Sequence, residues 1–207
     1  LHDAIVSPIA ASPLQRLTRF AQDMGTLTDR TVIAERILVE LCEITTSRHG
    51  ALYLLDREHD VYERVMTVGI QNTSADFLSF SPAHTLVQSL THEHRMLSVV
   101  DVPDLPPIKS ELADTLLTHQ SSLAVPLLNK HRLVAFALLG SSSDRPLDHP
   151  DLLTALAQNA ANALDSILVH DDLRQSQTLM RRTDRLRSLE IIAGGFAHEI
   201  RNPLTSI

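Results

Sequence analysis

Between Asp151 and Gly194 the chain contains neither a proline nor a glycine, and apolar residues recur at Leu152, Leu153, Leu156, Ala160, Leu164, Ile167 and Leu168. That is the three-and-four spacing of one helical face, so a near-continuous helix is expected from Asp148 onward. About 50 residues at ~1.5 Å each would reach roughly 75 Å, more than one small domain can cover, so the middle of such a helix needs a partner. The natural partner is the same helix of a second subunit. Leu186, Leu189, Ala193, Phe196 and Ile200 continue the pattern as a packing seam. Extended backwards, the seam passes through Arg182, Leu179, Gln175, Asp172 and Leu168. The polar residues among these predict a coiled coil that is weak or shifts register there. A marginal seam suits a transmitter, because two registers of similar free energy are biased by a modest change upstream. Arg174, Arg181, Arg182, Arg185 and Arg187 along the same stretch read as a solvated face.

Near its end the helix carries Phe196-Ala197-His198-Glu199-Ile200-Arg201-Asn202-Pro203-Leu204. His198 and Asn202, four apart, share a face, Glu199 flanks them, and the seam register turns His198 outward. Pro203 has no N–H, so the Glu199 carbonyl loses its usual partner and a bend is expected just past the histidine. A zinc protease would need His-Glu-x-x-His, and position 202 is Asn, which removes that class. Gly194 and Gly195 lack the spacing of a phosphate loop and read instead as a close helix approach or a softened turn.

This stretch resembles the H-box of sensor histidine kinases, in which a dimeric four-helix bundle presents the phosphate-accepting histidine. The resemblance implies that His198 takes the γ-phosphoryl group of ATP and passes it to an aspartate on a response regulator receiver domain. Glu199 would hold the opposite ring N–H and support the developing positive charge, and Asn202 would position water for the dephosphorylating reaction. ATP and Mg would be bound by a catalytic domain of the parent protein. The six glycines here form no Asp-x-Gly-x-Gly pattern, so these residues alone are expected to be inactive.

Ahead of the long helix the pattern alternates. Leu14, Leu17, Phe20, Ala21 and Met24 predict a helix that Gly25 ends; Asp29 is the expected N-cap of a second, through Val32, Ile33, Ile37, Leu38, Leu41 and Ile44. Strands are predicted at 51–56 and 61–68, joined by a polar turn, and at 97–102, 122–128 and 133–140. Residues 69–82 read as loop, with a short helix at Leu86, Val87 and Leu90 and another over 108–117. Pro126 suggests an edge or bulged position for its strand.

This succession resembles the GAF domain, a cytoplasmic sensory module. The likeness rests on Gly50-Ala51-Leu52-Tyr53-Leu54-Leu55-Asp56, on Ala124-Val125-Pro126-Leu127, and on Asp148-His149-Pro150-Asp151-Leu152-Leu153-Thr154-Ala155-Leu156-Ala157. It implies an α+β fold, a five- to six-stranded antiparallel sheet flanked by helices, followed by a long C-terminal signalling helix. The expected organisation is a linker at 1–13, a GAF-like domain at 14–168, a signalling helix at 169–190, and the start of a dimerisation and phosphoacceptor domain at 191–207. In such domains the excursion over about residues 70–120 lids a pocket against the sheet. Tyr53, Arg64, His84, His119 and Ser122 stand where they could point into it; each is also an ordinary structural residue, and a purely dimerising domain stays open. Asn129-Lys130 resembles the start of the cyclic-nucleotide signature, but the Phe and Asp-Glu that should follow are absent. His92 and His94 alternate without a third soft ligand, so no metal is expected.

Composition excludes further classes. A formal charge of −7, 3% aromatic residues and no Trp leave little surface for nucleic acid. Cys42, the single cysteine, lies in an apolar helical pattern and reads as a small core residue. No run is long enough to span a membrane and no leader pattern is present, which points to the cytoplasm. The chain starts at Leu and stops inside its most telling motif, so it is expected to belong to a longer protein, and any membrane segment would lie elsewhere in that parent. Two other readings carry the same sensory region: a non-enzymatic small-molecule-binding or dimerisation module, and the sensory part of a transcriptional activator.

Overall fold

A computed structural model describes residues 12–70, 79–99, 108–141 and 149–204, with backbone only at 108–110, 141, 184–185 and 188–204. Helix α1 spans Pro13–Thr26 and α2 spans Arg30–Ile44. Ser12 opens α1 with a capping box: its hydroxyl accepts from the Gln15 N–H, and the Gln15 side chain accepts from the Ser12 N–H, with Pro13 in the first turn where no N–H is needed. Asp29 caps α2 by accepting from Thr31 and Val32 at 2.8 and 3.1 Å. Glu40, buried on α2, takes Arg16 of α1 on one oxygen and Arg36 on the other at 2.8 Å, tying the two helices together.

Strands β1 (Ser47–Asp56), β2 (Val61–Val68), β3 (Ser79–Phe80), β4 (Leu97–Ser98), β5 (Leu123–Asn129) and β6 (Arg132–Ser141) form one antiparallel sheet in the order β3-β2-β1-β6-β5-β4. Helix α3 spans Thr85–Glu93 and α4 spans Ile108–Thr118. The central strands are buried on both faces, which is why β6 reads as an unbroken apolar run rather than an alternating one. Ala51, Tyr53, Phe136 and Leu138 turn to one side, where they pack with Leu86, Val87 and Leu90 of α3 and Leu112 and Leu116 of α4. Gly50 turns to the other side, where a Cβ would lie 2.9 Å from Cys42 Sγ and 3.0 Å from Leu38 Cδ1 of α2. Burial, with Glu43 adding, pushes the Cys42 thiol up to about 11, so the residue serves as core and stays unreactive.

One expectation needs correction, and another is decided between its two alternatives, an edge or a bulged position for Pro126. The loop expected over 69–82 contains β3, whose two residues are too short to leave a period in the sequence and exist as a strand through Tyr62 and Glu63 of β2. Pro126 is not on an edge strand, because β5 lies between β6 and β4; yet β4 pairs only with Leu123 and Ala124, and Pro126 falls past that reach. A register irregularity at Leu127/Leu128 follows directly. Of the strand expected over 97–102, Leu97 and Ser98 form β4, and 100–102 lie outside the described residues.

The long helix, α5, spans Pro150–Leu204 and passes Gly194 and Gly195 without a break. The chain divides into a compact unit through Asp165 and a second unit from Ser166. Within the first, α5 buries Leu153, Leu156, Ala157, Ala160, Ala161 and Leu164. Asp165 accepts from Arg57 of the β1–β2 turn and Asn129 of the β5–β6 turn, both at 2.7 Å, and also from Arg132. In the second unit Leu173, Leu179, Met180 and Leu186 are exposed.

Candidate functional site

The site is built on β1 and β2, and a single irregularity decides its composition. Leu52 pairs with Met66, but Tyr53 pairs with Arg64, so Val65 is one residue too many on β2. In a regular ladder Tyr53 would face Val65. The bulge substitutes a guanidinium for an isopropyl group opposite the phenol, the re-aiming that bulges beside functional sites produce. The Arg64 guanidinium beside the Tyr53 hydroxyl favours its ionised form.

Around this pair the chain gathers most of its aromatic surface. Tyr53 stacks on Phe136 of β6 at 4.9 Å, tilted by 9°, and meets Phe80 of β3 edge-on at 4.9 Å. Tyr62 leans on Phe136 at 5.5 Å. Both tyrosines and two of the five phenylalanines thus share one place in a chain otherwise poor in such rings. Edge-to-face and offset contacts of this kind add ~0.5–1.5 kcal/mol per pair beyond area burial.

Two histidines complete the cluster, each positioned by a helix end. His84 is the N-cap of α3: its Nδ1 accepts from the Leu86 N–H at 3.2 Å, so a neutral ring carries its proton on Nε2. Its ring meets the edge of Phe80 at 4.9 Å. His119 is the residue after α4, which ends in a Schellman pattern: Gln120 N–H reaches Leu117 O at 2.9 Å, Ser121 N–H reaches Leu116 O at 2.8 Å, and Gln120 adopts φ 52°. A non-glycine there needs support, and His49 of β1 supplies it by donating Nε2–H to the Gln120 carbonyl at 2.6 Å. The His49 ring lies across Gly140, where a Cβ would fall 1.9 Å from Nε2.

His119 Nδ1 lies 3.4 Å from the Tyr53 hydroxyl, and its ring 5.1 Å from Phe80. Burial pushes His119 down to about 4, with His84 and Arg64 adding to the effect, and burial also lowers His84 against a smaller opposing pull from Glu111. Tyr53 is pushed up to about 12 by burial, partly opposed by Arg64. At neutral pH the cluster therefore presents a protonated phenol, a neutral His119 and the Arg64 guanidinium. A phenol that keeps its proton and an imidazole of such low basicity are poor nucleophile and base, so the arrangement is suited to recognition rather than to bond breaking.

Of the residues singled out in the sequence, the fold brings Tyr53, Arg64, His84 and His119 together. Ser122 stands half-buried at the head of β5, its N–H on Leu139 O at 2.9 Å and its carbonyl accepting from Val99 at 3.1 Å. His198, Glu199 and Asn202 fall on α5, and their side chains lie outside the described residues. Phe80, Phe136 and His49 escaped the sequence reading. Phe136 was legible in part, since hairpin pairing places β6 beside β1; the other two depend on contacts no local pattern announces.

A family model for the GAF domain matches residues 28–165. No curated protein sequence matches the chain. Among solved structures, the GAF domain from an Acinetobacter phosphoenolpyruvate-protein phosphotransferase superimposes with a TM-score of 0.56 at 12% identity, covering 78% of this chain and 97% of that one. Free methionine-R-sulfoxide reductase from Neisseria meningitidis, solved in complex with its substrate, gives 0.52 at 16% identity, covering 82% and 98%. The chromophore-binding domain of a bacteriophytochrome from R. palustris gives 0.55 at 10% identity, covering 76% of this chain and 62% of that one. At such identities the likeness is one of fold.

Proposed function

This chain belongs to the GAF domain family, and on that premise we propose that it is the sensory and phosphoacceptor portion of a two-component sensor histidine kinase. The GAF domain senses a signal at the Tyr53–Arg64–His84–His119 cluster and hands it to α5. The observation that carries the reading is the continuity of that helix: one element, Pro150–Leu204, begins against the sensory core and contains Phe196-Ala197-His198-Glu199-Ile200-Arg201-Asn202-Pro203. A module that only bound a ligand would have no use for this motif on the helix that leaves its core.

In the proposed reaction a lone pair on a His198 ring nitrogen attacks the γ-phosphorus of ATP, the bond to the β,γ-bridging oxygen breaks, and ADP leaves. Glu199 accepts the N–H of the opposite ring nitrogen and stabilises the cationic imidazole that results. The phosphoryl group then moves to a receiver-domain aspartate, and Asn202 orients water for the reverse signal. ATP and Mg are held by a domain outside these residues. Two copies pair along the α5 seam, a reading supported by Leu179 and Leu186, 64% and 58% exposed in the single chain. No described helix is long and apolar enough to cross a membrane, in keeping with a cytoplasmic placement.

The test is labelling of the full-length protein with γ-labelled ATP. Acid-labile label is expected on the native protein and its loss in His198→Gln. Label that survives the substitution, or a native protein that takes none, overturns the proposal in favour of a sensory module without phosphotransfer.

A further inference from the structure

A cavity lies between α3 and the β5–β6 turn, on the Tyr62 flank of the aromatic cluster, with a volume of about 380 Å³. Its polar wall carries His92, Lys130, His131 and Arg132, and its apolar floor includes Tyr62 and Leu133. Tyr62 is fixed there by donating its hydroxyl to the Leu133 carbonyl at 3.0 Å. Among the described residues, none of the ten that line it is Asp or Glu, in a chain whose formal charge is −7. The volume falls in the ~300–1,000 Å³ range of small-molecule sites.

The turn that delivers the charges is unusual. Lys130 and His131 both have positive φ, 46° and 66°. Two-residue hairpin turns of that conformation favour Asn-Gly or Gly-Gly, because a side chain with a Cβ is strained there. Here the strained positions hold Lys and His, whose side chains line the cavity. The His131 ring in turn sits 5.1 Å from that of His94, itself left-handed at the C-cap of α3. Left-handed backbone kept at Lys130 and His131, beside the Arg132 guanidinium and facing one cavity, motivates reading this turn as a site rather than as a connection.

From this geometry we propose that the cavity binds a small organic anion, a carboxylate or phosphate ester with an apolar body. The anionic head lies between Lys130, His131 and Arg132, and the body rests on Tyr62 and Leu133. Arg132 is also bonded to Asp165 of α5, so an anion in the cavity competes with Asp165 for its guanidinium and is thereby felt at the helix. The site is independent of the phosphoacceptor reading.

The test is a ¹H–¹⁵N NMR titration of this chain at neutral pH with phenyl phosphate, benzoate and the neutral benzyl alcohol. Saturable shifts confined to Gln88–His92 and Lys130–Leu133 are expected with an anion and not with the alcohol; the tighter of the two anions identifies the headgroup. Lys130→Gly separates binding from folding. It relieves the positive φ, so thermal stability should hold or rise while affinity falls about tenfold with the lost charge contact. Equal shifts with benzyl alcohol, shifts that do not saturate, or a Lys130→Gly protein that binds as the native one does would each overturn the proposal.

Discussion

The clearest physical test of the aromatic cluster is the pH dependence it imposes through His119. The ring's ordinary value is 6.5, and its surroundings, burial first, press it to about 4. Between those limits the unfolded chain takes up a proton that the folded ring refuses. Stability is therefore fully present above pH 6.5, declines as the pH falls toward 4, and is flat below. Taken whole, the gap corresponds to ~3 kcal/mol, at ~1.4 kcal/mol for each tenfold change in proton affinity. The ring is only half-buried, however, and solvent screening reduces this to ~1–2 kcal/mol. The measurement is urea unfolding of the native chain and of His119→Gln at intervals from pH 4 to 7.5. Gln keeps a polar group at the position and has nothing to titrate, so the difference between the proteins isolates His119 from His84 and from the carboxylates. The native-minus-variant stability should drop by ~1–2 kcal/mol across the window, with the His119 ring resonance titrating correspondingly below its ordinary 6.5. A difference that stays constant with pH, or a ring that titrates between 6 and 7, would refute the claim that the histidine is held neutral against Tyr53 and Phe80.

Other consequences follow from single contacts. Gly140→Ala should displace the His49 ring, whose Nε2 lies 1.9 Å from the new Cβ, and cost ~2 kcal/mol in unfolding free energy through the lost Gln120 bond and repacking. In a His49→Ala background the same change should cost far less, and equal costs in the two backgrounds would show that the ring and the glycine are not coupled. Glu40→Gln should destabilise by ~1–3 kcal/mol, because the buried carboxylate is shared by Arg16 and Arg36 and an amide cannot accept both charges. Denaturation in 1 M salt should recover little of that loss, since the pair is shielded from ions; a complete recovery would place Glu40 at the surface.

Local periodicity alone predicted both early helices, the Asp29 cap, the β1–β2 and β5–β6 hairpins and the long helix through Gly194, because each is a repeating choice between apolar and polar that neighbouring residues make together. The candidate residues Tyr53, Arg64, His84, His119 and Ser122 came from the resemblance to the GAF domain rather than from periodicity. What neither could supply was which of them meet. Tyr53 and His119 are 66 residues apart and touch only after β1, β6 and α4 have packed. Arg64 faces Tyr53 only because Val65 is surplus to the ladder, and a one-residue offset leaves the composition of a strand unchanged. Asp165 drew no reading from the sequence, where it lies between the apolar positions Leu164 and Ile167 of the long helix. Tertiary structure alone makes it the point where Arg57, Asn129 and Arg132 converge, because hydrogen-bond partners from two turns become neighbours only when the sheet has brought those turns to the helix.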